Sequence, residues 1–221
     1  MDRKVSRMKT ETYTSSRQWF AKILESESAE GAPLKALFFL LRMLSLAYGF
    51  LVRIRSLFYR FGVFRTKRLP RRVISVGNIT VGGTGKTPMV LELATHFQKR
   101  GNQVAVLSRG YGREGDAKSF KLVSDGQRIL ETPERSGDEA WFIAKELPGV
   151  IVAVGKDRFK AGLRLLEKFK IDLFILDDGY QHLRLYRNFN ILLLNSNRPF
   201  GNGFLLPRGT LRERPSAMNR A

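Results

Sequence analysis

The stretch that most constrains this chain is Thr80-Val81-Gly82-Gly83-Thr84-Gly85-Lys86-Thr87, together with its flanks. Before it, Val73-Ile74-Ser75-Val76 is a short apolar run rich in β-branched residues, the pattern of a buried strand. After it, Met89, Val90, Leu93, Ala94 and Phe97 recur at helical spacing, and Gly101 supplies a stop. Strand, glycine-rich loop, Gly-Lys-Thr and helix together predict a phosphate-binding P-loop. Glycines let backbone N–H groups curl around phosphate oxygens, and the helix N-terminus adds its partial positive charge. In such a loop Lys86 reaches the β- and γ-phosphates, the Thr87 hydroxyl holds Mg²⁺, and Pro88 sits in the first helical turn, where a missing N–H costs little. The strict pattern wants glycine where Thr80 stands. A glycine-rich turn with an incidental lysine is the competing reading, and the flanking strand and helix weigh against it.

At 221 residues the chain can bury a substantial core, as one domain or one and a half. Cysteine is absent, which excludes disulfides and thiolate metal sites, and two histidines, His96 and His182, argue against zinc. The formal charge of +19 asks for an anionic partner. Its distribution is local: between Gly31 and Leu91 there is no acidic residue, while eleven lysines and arginines fall there, among them Arg65, Lys67, Arg68, Arg71 and Arg72.

Residues 1–31 read as a polar lead-in with a short helix near Trp19–Leu24 and no signal-peptide pattern. Ala36–Phe61 reads as an apolar helix, broken near Gly49. Its longest uncharged run, the ten residues Met43–Val52, falls short of the roughly 20 that span a bilayer. At 100° per residue, Lys35, Arg42, Arg53 and Arg60 fall within about 20° of one another with Gly49 on the same side, and Arg55 lies almost opposite. A basic stripe on an apolar helix suits an anionic membrane interface, and the cluster Arg65–Arg72 supports that partner. A helix packed on its own domain with its basic face outward is the alternative. Nucleic acid is disfavoured, because no stacking motif or groove-reading helix accompanies the charge.

From Val73 onward strands and helices alternate. Strands are predicted at Gln103–Leu107, Val150–Val154, Asp172–Leu176 and Asn190–Leu194, helices at Asp138–Leu147 and Arg158–Phe169, and a small hairpin around Asp125-Gly126. The fold class is therefore α/β, a P-loop NTPase-like and mostly parallel sheet covered on both faces, preceded by the amphipathic helix.

Leu173-Phe174-Ile175-Leu176 runs into Asp177-Asp178, the Walker B arrangement that holds Mg²⁺ opposite the P-loop threonine. Gly137-Asp138-Glu139 opens a helix, and on spacing alone it fits N-capping as well as catalysis. Arg109, Arg113 and Arg158 follow strands, where they either meet phosphates or stay solvated. His96 reads as structural, whereas His182 stands at the rim of the presumed site.

Six ordered motifs now make the chain resemble a known family. They are Val76–Pro88, Leu107–Gly112, Gly137-Asp138-Glu139, Asp157-Arg158, Leu176–His182 and Pro199–Pro207. In unbroken order from about Leu34 to Glu213 they resemble tetraacyldisaccharide 4′-kinase, the lipid A 4′-kinase, whose P-loop lacks the first glycine as here. The resemblance implies ATP- and Mg²⁺-dependent phosphorylation of the 4′-hydroxyl of a lipid A disaccharide 1-phosphate precursor on the cytoplasmic face of the bacterial inner membrane. It implies nucleotide binding by Thr80 through Thr87, catalysis by Asp138 as base with Lys86, Asp178 and His182, and metal binding by Thr87, Glu139, Asp177 and Asp178. Asn78, Arg109, Arg158 and Gln181 are implied to meet the substrate.

This divides the chain into a lead-in (1–31), a basic membrane-associated helix and linker (32–72), and a P-loop kinase core (73–221). The resemblance also implies a second lobe that contributes a histidine and is lacking here. Arg214 interrupts the family's Leu-Arg-Glu-Pro, and Asn195 stands where many relatives carry an acid. A membrane-associated nucleotide switch and an inactive nucleotide-binding remnant are the competing functions.

Overall fold

The structure is a computed structural model and describes residues 32–116 and 119–221. The short helix predicted at Trp19–Leu24 lies outside the described residues. Helix α1 is Ala32–Arg60, and β1 is Arg72–Gly77. Helix α2 (Lys86–Lys99) leads to β2 (Val104–Ser108) and β3 (Lys121–Asp125). The short α3 (Pro133–Ser136) precedes α4 (Asp138–Glu146), β4 (Ile151–Val154) and α5 (Arg158–Leu166). Strands β5 (Leu173–Leu176) and β6 (Phe189–Leu192) follow, and a 3-10 turn, Pro215–Arg220, comes last.

The six strands form one sheet in the order β3-β4-β2-β5-β1-β6. Every pairing is parallel except β3 with β4. The apolar strands are continuous because both faces are covered. On one face Ile74, Val76, Val104, Val106, Leu173 and Ile175 pack with Val90 and Ala94 of α2 and Ile143 of α4. On the other, Val73, Ala105, Leu107, Phe174 and Leu176 pack with Ala161 and Leu165 of α5. The side-chain period of two thus splits each strand between two cores.

The hairpin predicted around Asp125-Gly126 is present but short: Ser124 and Ile129 form an antiparallel bridge, and Leu130 N–H donates to Val123 O at 2.8 Å. Lys121–Asp125 also pairs antiparallel with β4 at the sheet edge, which the sequence did not suggest. Asp125 Oδ1 accepts the backbone N–H groups of Gln127 and Arg128 and so closes the turn.

Two compact units interleave along the chain. One gathers 32–54 of the described residues with Ile79–Gly82 and Leu194–Ala217; the other holds Arg55–Asn78, the rest of 83–193 and Met218–Ala221. In the first, Ser45 Oγ donates to Leu205 O (2.7 Å) and accepts Arg208 N–H (3.0 Å), while Tyr48 OH donates to Arg212 O (3.0 Å). Helix α1 does not break at Gly49. A Cβ there would lie 2.6 Å from Leu205 Cδ1, so the glycine serves a close approach rather than an interruption. Tertiary packing of this kind overrides the weak helix propensity of glycine.

The outward side of α1 is apolar: Phe39, Leu40, Met43, Leu44, Leu46, Phe50 and Leu51 are all exposed. At 100° per residue they fill one arc of about 160°, with Lys35, Arg42 and Arg53 on one flank and Arg55 beyond the other. By length and composition Pro33–Arg60 is enough to cross a membrane, so the ten-residue uncharged run understates the helix.

Candidate active site

The carboxyl ends of parallel strands share one edge of a sheet, and here β5 lies between β1 and β2. The loops that follow these three strands carry three of the six motifs, Val76–Pro88, Leu107–Gly112 and Leu176–His182, which makes neighbours of residues far apart in sequence.

The loop after β1 delivers Gly85 as the N-cap of α2, with Lys86 and Thr87 as its first helical residues. Its first half is tied to the segment that precedes the C-terminal turn: Val81 N–H donates to Thr210 O at 2.7 Å, and Arg212 N–H donates to Ile79 O at 2.7 Å. Thr80, the residue that departs from the P-loop pattern, forms an isolated antiparallel bridge with Leu211. Its backbone is thus occupied by strand-like pairing, a role that glycine would fill poorly.

The turn after β5 begins with Asp177, which is 1% exposed. Ser108 Oγ, at the end of β2, donates to Asp177 Oδ2 at 3.1 Å. Burial, reinforced by the neighbouring Glu139, raises the Asp177 pKa to about 6 against the help of Ser108. Asp178 has φ 48°, the left-handed region, and is the one such non-glycine among the described residues. Its Oδ1 lies 3.9 Å from Lys86 Nζ. The phosphate-loop lysine and the strand-end acids therefore meet.

Gly77 makes this approach possible. A Cβ at Gly77 would stand 2.7 Å from Tyr180 Cβ and 2.9 Å from Tyr180 N, so the main chains of the two turns touch where a side chain would fit.

Asp138 and Glu139 occupy the first turn of α4 and are exposed. The N-cap is Gly137, and no side chain caps this helix. Asp138 is therefore not the N-cap, and both acids lie in the first helical turn, where the helix dipole favours negative charge.

The basic residues separate. Arg109 is exposed and donates to Tyr111 OH at 2.6 Å. Arg158, at the start of α5, is 5% exposed, and among the described residues its Nε has no hydrogen-bond partner. Burial first, and then Arg109, lowers its pKa, while Asp178 and Asp177 favour its charge. Arg113 instead anchors its own loop by donating to Asp116 O and Ser119 O. His182 is driven down to a pKa of about 3 by burial and by Arg158, so it is neutral at ordinary pH. Arg100 rather than the active site is the neighbour of His96.

Asn78 and Gln181, expected to face substrate, are engaged with each other. Asn78 is fully buried, its Nδ2 donates to Thr84 Oγ1 at 2.9 Å, and its O accepts Gln181 Nε2 at 2.8 Å. Sequence reasoning missed the part played by Ser108, although it is the second residue of the Leu107–Gly112 motif; a strand-end serine carries no distinctive spacing.

The donors near this edge, the Thr87 hydroxyl and the carboxylates of Glu139, Asp177 and Asp178, are all oxygen. That chemistry suits Mg²⁺, which takes one or two carboxylates and leaves remaining positions to phosphates and water. Among the described residues no three His, Asp or Glu side chains are gathered as a metal site.

Residues 37–221 match the tetraacyldisaccharide-1-P 4′-kinase family. The chain belongs to that family. It is 52% identical to the tetraacyldisaccharide 4′-kinase of Geobacter metallireducens over 182 residues, which cover 82% of this chain and 54% of that protein. With the enzyme of that name from Syntrophus aciditrophicus it shares 54% identity over 183 residues, 82% of this chain and 49% of the relative. A crystal structure of LpxK from Aquifex aeolicus in complex with ATP superimposes with a TM-score of 0.78 at 42% identity, covering 84% of this chain and 57% of that one. The chain spans about half the length of the 4′-kinases it matches.

Proposed function

We propose that this chain is the nucleotide-binding lobe of a tetraacyldisaccharide 4′-kinase and works at the cytoplasmic face of the bacterial inner membrane. The observation that carries the reading is the 3.9 Å approach of Lys86 to Asp178 at the ends of neighbouring strands, beside the Ser108–Asp177 bond. A nucleotide loop and a pair of acids so placed are the working parts of phosphoryl transfer.

In this proposal the amides of residues 80–87 and the helix N-terminus cradle the ATP phosphates, and Lys86 moves from Asp178 to the γ-phosphoryl oxygens. Thr87, with carboxylates drawn from Asp177, Asp178 and Glu139, would hold Mg²⁺, which would supply charge neutralisation to the ATP phosphates. Asp138, exposed on the first turn of α4, takes the proton of the sugar 4′-hydroxyl as its oxygen attacks the γ-phosphorus; the bond to the β-phosphate oxygen breaks and ADP leaves. His182 and Gln181 flank the acids, and Arg109 and Arg158 meet the anionic substrate. The apolar arc of α1 rests in the bilayer interface with its flanking arginines toward headgroups, the phase in which an acylated substrate resides.

Transfer of radiolabelled γ-phosphate to a tetraacyldisaccharide 1-phosphate tests this, on this chain and on a version carrying the C-terminal segment of its longer relatives. Lys86→Ala is expected to abolish transfer and the Mg·ATP thermal shift, and Asp138→Ala to abolish transfer while ATP still binds. ATP hydrolysis indifferent to the lipid would instead identify a switch, and retained transfer in either variant would overturn the assignment.

A further inference from the structure

We infer that Asn78 is a positioning residue that holds the phosphate loop and the Asp177–His182 turn in one frame, an inference that rests on the proposed nucleotide-binding role of that loop. Asn78 stands between the end of β1 and the loop, fully buried. Its side-chain Nδ2 donates to Thr84 Oγ1 at 2.9 Å, two residues before Lys86. Its main-chain O accepts Gln181 Nε2 at 2.8 Å, three residues after Asp178. Lys86 and Asp178 are the pair that meet at 3.9 Å, so one residue braces both sides of that meeting.

The connection does not stop there. Gln181 O accepts Arg55 Nη2 at 3.0 Å, which links the turn to the last turns of α1. Arg55 is the basic residue that departs from the stripe on that helix, and this bond gives it a partner of its own. Thr84, Asn78, Gln181 and Arg55 thus form an unbroken hydrogen-bonded series.

The chemistry at position 78 is selective. Asn78 Oδ1 is buried and, among the described residues, has no hydrogen-bond partner. An orphaned buried acceptor is costly, so an apolar side chain would be the cheaper occupant unless the amide donor is needed. An aspartate would keep an oxygen near Thr84 but place a buried negative charge beside a loop built for phosphate. Asparagine supplies a donor without charge. Being fully buried, it acts on phosphate only through Thr84 and the loop backbone, by keeping the loop in its receptive form; affinity falls in proportion as that form is depopulated.

The test is Mg·ATP titration of the full 221-residue chain by calorimetry, comparing wild type with Asn78→Ala, Thr84→Val, Thr84→Ser and the double variant Asn78→Ala/Thr84→Val. Asn78→Ala and Thr84→Val are each expected to weaken Mg·ATP binding by about three- to tenfold, the worth of one buried hydrogen bond. The double variant should lose no more than the weaker single, since both remove the same bond. Thr84→Ser, which keeps the hydroxyl that accepts from Asn78 Nδ2, should lose less affinity than Thr84→Val. Wild-type affinity in Asn78→Ala, or losses that multiply in the double variant, overturns the inference. If Asn78→Ala does not fold, Thr84→Val against Thr84→Ser decides it, because Thr84 is partly exposed in the loop. A wild-type chain that ignores Mg·ATP overturns the nucleotide-binding reading itself, a separate result from unchanged binding in the variants.

Discussion

Asp177→Asn should stabilise the ligand-free protein while it removes a proposed metal ligand. Asp177 is 1% exposed, and burial with Glu139 raises its pKa from 3.8 to about 6. A carboxyl whose folded pKa exceeds its unfolded value adds stability that is fully present below pH 3.8 and lost as pH rises through about 6. At pH 8 the loss is about 3 kcal/mol, from roughly two pKa units at 1.36 kcal/mol each. The asparagine carries no such cost and can still accept from Ser108 Oγ. In urea denaturation with chelator and no nucleotide, the variant is expected to gain about 3 kcal/mol at pH 8 and under about 1 kcal/mol at pH 4. In a melt at pH 8 this is a rise of about 6–12 °C. Between pH 4 and 6 His182 acts in the opposite sense, so variant and wild type are compared at each pH rather than along one curve. A gain that does not change with pH, or a destabilised variant at pH 8, would refute the assignment of a buried ionised carboxylate.

Gly77→Ala drives a methyl group to 2.7 Å from Tyr180 Cβ and 2.9 Å from its backbone N. The obstruction is largely main chain, so a loss of about 1–3 kcal/mol is expected in chemical denaturation, together with weaker Mg·ATP binding. His182, with its pKa held near 3, contributes stability that is fully present above pH 6.5 and lost as pH falls toward 3. His182→Gln should therefore flatten the acid limb of the stability curve by about 1.4 kcal/mol per pH unit between 6 and 4, read by urea midpoints. Phe50→Glu with Leu51→Glu puts two charges on the apolar arc, where these residues are 63% and 64% exposed. Retention on anionic liposomes at low salt should fall sharply with little change in melting temperature; unchanged retention would remove the interfacial role of α1.

Much of the sheet and its site was legible because the deciding signals are local. The strand before Thr80–Thr87, the helix after it, and the apolar run ending in Asp177-Asp178 each advertise their form within a few residues. The strand order did not. That β5 enters between β1 and β2 depends on pairings across long loops, and nothing in Leu173–Leu176 names its neighbours. Helix α1 hid its continuity behind Gly49, whose purpose is visible only beside Leu205. The hairpin of Lys118–Val123 with Gln127–Leu130 was legible from its turn, but not that its first strand, at Lys121–Asp125, also pairs with β4. Asn78 hid its role for a different reason: an asparagine at the end of a strand looks the same whether it faces a ligand or props up a loop from within.

The position of β5 also sets the order in which a growing polypeptide can acquire its site. Strands β1 and β2 are not partners; each bonds to β5 from its own side. Until Leu176 has left the ribosome, the loop at Lys86 has neither the strand beside it nor the acids it faces. Nascent chains halted between β2 and β5 will hold a complete glycine-rich segment yet lack a place for a triphosphate. Such chains will also leave the facing edges of β1 and β2 unbonded, the kind of exposure that invites chaperones during synthesis.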